Sequence, residues 1–165
     1  MATIEDMFDS GTFQLWMFLH ILAAIAAFGY GFYAPIFGAA SAKEPQHSQW
    51  FTKAAKRVTN IIILPFAILM FFTGAALVQV GGTEWSDRWL SIAMLLYFIA
   101  LGVVFFVQRP AVNKIIALNE QPPGPDGPSA ELRSAVQRSQ KSGVLLLLLV
   151  LAVLALMVWK PAFGG

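Results

Sequence analysis

The chain has 165 residues, of which 58% are hydrophobic and only 12% are charged. Soluble domains carry about 25% charged residues, so the composition excludes an ordinary soluble protein and predicts lipid as the surrounding solvent. The net charge of +2 is not gathered into a basic stripe, and we expect no nucleic-acid partner. The chain has no cysteine, which excludes disulfides, thiolate metal sites and cysteine nucleophiles.

Four apolar runs are long enough to cross a bilayer, for which a helix needs about 20 residues. We expect helices over approximately residues 12–40 (span 1), 52–80 (span 2), 87–118 (span 3) and 130–160 (span 4). The runs are continuous rather than alternating, which excludes barrel strands. The first residues lack the positive charge of a signal peptide, so span 1 should remain as a helix. The prediction is an all-α fold, with residues 1–165 forming one four-helix antiparallel bundle in up-down-up-down order.

The distribution of Lys and Arg predicts the orientation of the bundle. The connection between spans 1 and 2 and the connection between spans 3 and 4 together hold nine of the eleven basic residues: Lys43, Lys53, Lys56, Arg57, Arg109, Lys114, Arg133, Arg138 and Lys141. The opposite side holds only Arg88 and Lys160. We therefore expect a multi-pass protein of the bacterial inner membrane, with both long connections in the cytoplasm and both termini outside.

The connection between spans 3 and 4 has a predicted structure of its own. Residues 121–128 contain four prolines and two glycines, a composition that cannot be helical and is typical of a turn. Polar helical sequence lies on both sides of it, over residues 111–118 and 130–142, and Ser129 is a suitable N-cap for span 4. These segments should form a helical hairpin beyond the membrane surface.

His20 is the most informative residue for function, because polar side chains inside a membrane are costly and usually face the bundle interior. It shares one face of span 1 with small residues at helical spacing: Ala24, Ala27 and Gly31. Small residues allow close approach of another helix or of a flat ligand such as a porphyrin. At the same depth, span 2 offers Thr73 and span 3 offers Tyr97, so we expect one polar cluster of His20, Thr73 and Tyr97.

Three interpretations of this cluster stay open. In the first, His20 bonds to a neighbouring hydroxyl and fixes helix register. In the second, His20 is an axial ligand of haem b, or less plausibly of a chlorophyll, with Ala24, Ala27, Gly31, Thr73 and Tyr97 lining the cofactor. A bis-histidine haem site is excluded within one chain, since the other histidine, His47, lies in a cytoplasmic connection.

The third interpretation is a copper site. Met17 and His20 lie three residues apart on one helix face, and Met94 and Met157 come from spans 3 and 4 at the outer side. Thioethers combined with imidazole suit Cu(I), although methionine is also an ordinary packing residue in apolar interiors.

Three short motifs carry a resemblance to a known family: 19-LHILAA-24, Thr73-Gly74 and 157-MVWKP-161. In these the chain resembles a bacterial family of small four-helix predicted integral membrane proteins of unknown function, which have a histidine in helix 1 followed by small residues. The chain is more distantly similar to copper-resistance D-type membrane domains and to the haem-binding protoporphyrinogen oxidase of bacteria. The enzyme's pattern has further charged or histidine positions within its helices that this chain lacks.

The sequence thus favours a non-catalytic membrane subunit or scaffold whose partners are the lipid bilayer and other membrane helices, in a homo- or hetero-oligomer. The alternatives are a haem b redox protein that uses His20 and a copper-handling protein that uses methionine and histidine. No phosphate-binding loop or pair of intramembrane carboxylates is present in the sequence, so we do not expect a proton-coupled transporter. The sequence favours a non-enzymatic role and leaves enzymatic activity open.

Overall fold

The structure is a computed structural model that describes residues 4–120 and 127–161. These residues are helical almost throughout, in six α-helices: α1 Ile4–Lys43, α2 Ser48–Val58, α3 Leu64–Val80, α4 Arg88–Val103, α5 Arg109–Asn119 and α6 Ala130–Trp159. A short 3-10 turn, Pro45–His47, precedes α2. The all-α fold expected from the continuous apolar runs is confirmed.

Two pairs of helices are joined without a break by π-helical turns. Thr59–Ile63 connects α2 to α3, and Val104–Gln108 connects α4 to α5. Each π turn ends two residues before a proline, Pro65 or Pro110. Proline removes one backbone donor, and its ring clashes with the carbonyl four residues earlier. A wider π turn accommodates that ring, so both helices continue through their prolines.

The continuous helices give four segments that are long and apolar enough to cross a membrane: Gly11–Ala40, Ser48–Val80, Arg88–Asn119 and Ala130–Trp159. The number of spans agrees with the sequence prediction. Span 2 begins earlier than expected, at Ser48, because the polar residues before Val58 continue its helix as α2.

The polar ends of spans 3 and 4 are also helical. Span 3 continues as α5 to Asn119, and α6 begins at Ala130. The predicted cap is confirmed, since the Ser129 hydroxyl accepts a hydrogen bond of 3.1 Å from the Leu132 backbone N–H. The proline-rich residues 121–126, for which a turn was expected, lie outside the described part of the chain.

A small apolar core holds spans 1, 2 and 3 together. Ala23, Met70 and Tyr97 are buried in it, one from each span. Large apolar side chains on the outer faces are exposed instead, with Phe106 at 79% and Ile61 at 69%. Such a surface would be unstable in water and is appropriate for lipid. Ala23 lies three residues after His20, so the core begins one helical turn from the predicted functional residue.

Candidate functional site around His20

His20 joins span 1 to span 2. Its Nδ1 atom lies 3.0 Å from the backbone carbonyl oxygen of Met70 and 3.1 Å from the hydroxyl oxygen of Thr73. Helices α1 and α3 pack along each other, which keeps the imidazole against the backbone of α3. The site therefore consists of one side chain from span 1 held by one turn of span 2.

The hydrogen-bond network assigns the proton on the imidazole. A carbonyl oxygen can only accept, so the Nδ1 atom that faces Met70 must carry the hydrogen and donate it. The Thr73 hydroxyl donates to the carbonyl of Leu69 at 2.9 Å, four residues before it. Its oxygen is thereby oriented to accept from the same imidazole N–H. In a neutral histidine with Nδ1 protonated, Nε2 carries the free lone pair.

The environment on span 2 restricts movement of the ring. Thr73 is completely buried. At Gly74, an added Cβ would lie 3.0 Å from Cε1 of His20 and 3.4 Å from its Nδ1. An alanine there would require the imidazole to move by a few tenths of an ångström, so the glycine allows the ring to approach the helix this closely. Thr73 supplies a hydrogen-bond acceptor for the imidazole, and Gly74 supplies the space in which the ring packs.

The second nitrogen of His20 is in a different situation. Among the described residues, Nε2 has no hydrogen-bond partner, and no fully buried side-chain nitrogen or oxygen lacks one. Nε2 must therefore retain accessible surface on the chain. A histidine that ligates a metal usually donates its other ring N–H to a carbonyl or carboxylate, which fixes the tautomer and the ring orientation. His20 has that arrangement: Nδ1 is anchored and Nε2 is open.

The structure brings His20 and Thr73 of the expected polar cluster into hydrogen-bond contact, but not Tyr97. Tyr97 is buried, but its hydroxyl donates to the backbone carbonyl of Ala67 at 2.9 Å rather than to His20 or Thr73. Its ring stacks on Phe71, with centroids 6.0 Å apart. Tyr97 thus joins span 3 to span 2 one turn away from the imidazole.

The small residues of span 1 are in contact with other helices of the chain. Ala27 is 6% exposed and Ala24 is partly buried against the core, and the adjacent Ala23, outside this row, is 0% exposed. A Cβ at Gly31 would lie 3.9 Å from the Leu147 side chain of α6. In this arrangement the row serves helix packing.

The methionines of the copper interpretation lie on three helices. Met17 is one turn before His20 on α1, Met94 is on α4 and Met157 is on α6; all three are half-buried. Within the described residues, no three His, Cys, Asp or Glu side chains form a group able to hold a metal ion. His47 precedes α2, where its Nδ1 lies 3.0 Å from the Glu44 carboxylate.

A second polar cluster was not predicted from the sequence. The Gln108 side chain donates to the Ser139 hydroxyl at 3.1 Å and accepts from the Ser142 hydroxyl. Arg109 donates to the Asn60 side chain at 3.2 Å and lies over the Phe105 ring. The available signal was the pair of serines three residues apart on α6, opposite a glutamine at the end of an apolar run. These residues border a polar connection, where serine and glutamine are also common in exposed positions.

Four apolar helices with exposed apolar faces define the class of this protein, a polytopic integral membrane protein in contact with the lipid bilayer. Residues 14–161 match the family model described as "Predicted integral membrane protein (DUF2269)", and the chain belongs to that family. No curated protein and no solved structure gave a match.

Proposed function

We propose that the protein binds haem b in the membrane, with Nε2 of His20 as an axial ligand. The observation that carries the proposal is that one ring nitrogen of His20 is hydrogen-bonded and the other is not. Nδ1 donates to the Met70 carbonyl at 3.0 Å, and Nε2 has no partner among the described residues. A histidine inside the membrane is costly and usually functional. The unpartnered Nε2 is the atom through which His20 can bind a ligand.

The donor chemistry of His20 fits such a ligand, while the row that was expected to line the haem, Ala24, Ala27 and Gly31, packs inside the chain. The donor is a neutral imidazole, the commonest protein ligand of haem iron, and its proton is held away from the open nitrogen. Thr73 and the Met70 carbonyl orient the ring, and the missing side chain at Gly74 gives it room. When bound, haem supplies one-electron chemistry at its iron, while the protein sets orientation and polarity.

The visible spectrum of the purified protein tests this proposal. Protein produced with haem available should have a Soret band, and His20→Ala should abolish it. Tyr97→Phe is the matched control, because it removes the hydrogen bond to Ala67 in the same core without touching the imidazole. A colourless wild-type protein, or a band that survives in His20→Ala, contradicts the proposal.

The second candidate is a non-catalytic subunit that binds other membrane helices. It is favoured over haem binding by the packing of Ala27 and Gly31, which were expected to line a haem, inside the chain. A colourless protein that runs in lipid nanodiscs as an assembly larger than its 18.0 kDa monomer supports this candidate over haem binding. A copper site would appear in the same preparation as bound copper that is lost with Met17→Leu.

We propose further that the spans alternate in direction and that both termini lie outside the bacterial inner membrane. The distribution of basic residues supports this, as do contacts between the start of one span and the end of the next. A Cβ at Gly81 would lie 3.0 Å from the Phe13 ring, and the Lys160 ammonium is 5.4 Å from the Trp89 ring centroid. Reporter fusions at Gly165 and Gly124 should lie on opposite sides of the membrane; a cytoplasmic C-terminal fusion contradicts this topology.

A further inference from the structure

A groove of about 420 Å³ lies between span 3 and span 4, away from His20. Its polar end is lined by Gln137, Arg138 and Lys141 of α6, and its apolar end by Val103, Val107 and Leu145. The uninterrupted apolar part of α6 begins at Val144. The groove therefore crosses the level at which span 4 changes from polar to apolar.

The two cations of the groove have no acidic partner in the described part of the chain. The ion pairs there are His47 with Glu44, Lys53 with Glu120, and Lys114 with Glu131. Arg138 and Lys141 are exposed and lie three residues apart, so on a helix they share one face. They present two uncompensated positive charges to whatever occupies the groove.

The shape of the groove requires an occupant that has an apolar part as well as a negative charge. From Gln137 to Leu145 a helix rises by about 12 Å, and over that distance the lining changes from amide and cations to aliphatic side chains. Val107 belongs to the π turn that precedes Pro110, so the wall on span 3 departs from α-helical geometry here. The inner side is closed by Ser142, which is 4% exposed and bonds to Gln108. A small anion would use only the polar end.

We propose that this groove binds one anionic phospholipid, with the headgroup phosphate between Arg138 and Lys141 and an acyl chain along Val103, Val107 and Leu145. Basic pockets between membrane helices commonly take such headgroups. The proposal is independent of haem binding, because no residue of the groove contacts His20.

Lipid titration of the purified protein, followed by native mass spectrometry, tests this site. The probes are phosphatidylglycerol, phosphatidylcholine and glycerol phosphate, which has the anionic group without acyl chains. The test variant is R138Q/K141Q. The control is K56Q/R57Q, which removes the same charge from two exposed cations on α2 outside the groove.

Wild-type protein and K56Q/R57Q should each retain one phosphatidylglycerol, whereas R138Q/K141Q should bind it roughly 30-fold more weakly. That figure follows from about 1 kcal/mol for each basic residue near anionic lipid and a factor of ten for each 1.4 kcal/mol. Equal binding by R138Q/K141Q, equal loss in K56Q/R57Q, or equal binding of phosphatidylcholine would each overturn the proposal. Glycerol phosphate bound as tightly as the lipid would overturn it in favour of a small-anion site.

Discussion

The two interhelical polar clusters of this protein differ in whether every polar side-chain atom has a hydrogen-bond partner. The first surrounds His20 and includes Thr73 of span 2. The second surrounds Gln108 and Arg109 and includes Asn60 of span 2. Thr73 and Asn60 are 13 residues apart, which is about 20 Å along a helix. Around Gln108, both the amide nitrogen and the amide oxygen have hydroxyl partners on α6. Around His20, one nitrogen has two partners and the other has none among the described residues.

Polarity inside a membrane therefore does not identify a functional residue by itself. A saturated network, in which every polar side-chain atom has a protein partner, stabilises the packing of helices. An anchored side chain with one unpartnered ring nitrogen can still coordinate a ligand. On this criterion His20 is the functional candidate and Gln108 is structural.

The largest expected effect on stability comes from Gly74→Ala. The new methyl group would lie 3.0 Å from Cε1 of His20, and overpacking of this kind typically costs about 1–3 kcal/mol. Gly102→Ala is the control, since a Cβ there meets nothing within 4 Å. Thermal unfolding in detergent should show Gly74→Ala destabilised and Gly102→Ala unchanged or slightly more stable. Equal behaviour of the two variants would mean that the imidazole does not pack on Gly74.

An intermediate effect is expected from Gln108→Leu in the saturated cluster. The substitution removes two interhelical bonds, but the Ser142 hydroxyl can then donate to the Arg138 carbonyl, which lies 2.9 Å away on the same helix. The expected cost is about 1 kcal/mol, because hydrogen bonds between membrane helices contribute about 0.6 kcal/mol each on average. The Soret band should not change. Loss of the band in Gln108→Leu would break the distinction between the two clusters.

The smallest effect is expected from Thr73→Val. The substitution keeps the volume of the side chain and the bond from Nδ1 to the Met70 carbonyl. It removes the second acceptor at 3.1 Å and the bond from the Thr73 hydroxyl to the Leu69 carbonyl within span 2. The cost in unfolding free energy should be about 0.6 kcal/mol, with a small shift of the Soret maximum as the ring loses one restraint. A cost above that of Gln108→Leu would show that Thr73, and not the carbonyl, holds the histidine.

The four spans could be predicted from the sequence because membrane-spanning helices satisfy their own backbone hydrogen bonds within each segment. Run length alone then identifies them, and a local rule identified the Ser129 cap. His20 could be singled out because an imidazole is rare in such a run. Its proximity to Thr73 was expected from depth alone.

The remaining features depend on tertiary contacts. Tyr97 was placed at the right depth, but depth does not decide which carbonyl its hydroxyl reaches. The pairing of Gln108 with Ser139 and Ser142 depends on the rotation of two helices about their axes, which single-sequence periodicity does not fix in apolar runs of low amphipathicity. The π turns before Pro65 and Pro110 follow from proline chemistry only once both helices are known to continue.

The Soret spectrum of His20→Gly, recorded with and without added imidazole, tests most directly whether Nε2 of His20 is a ligand. Removing the side chain leaves a space that free imidazole can enter, while Met70 and Thr73 remain as acceptors for its N–H. The variant should lack the band and regain it on addition of imidazole, and Tyr97→Phe should not respond to imidazole. A band present in His20→Gly before imidazole is added would contradict the claim.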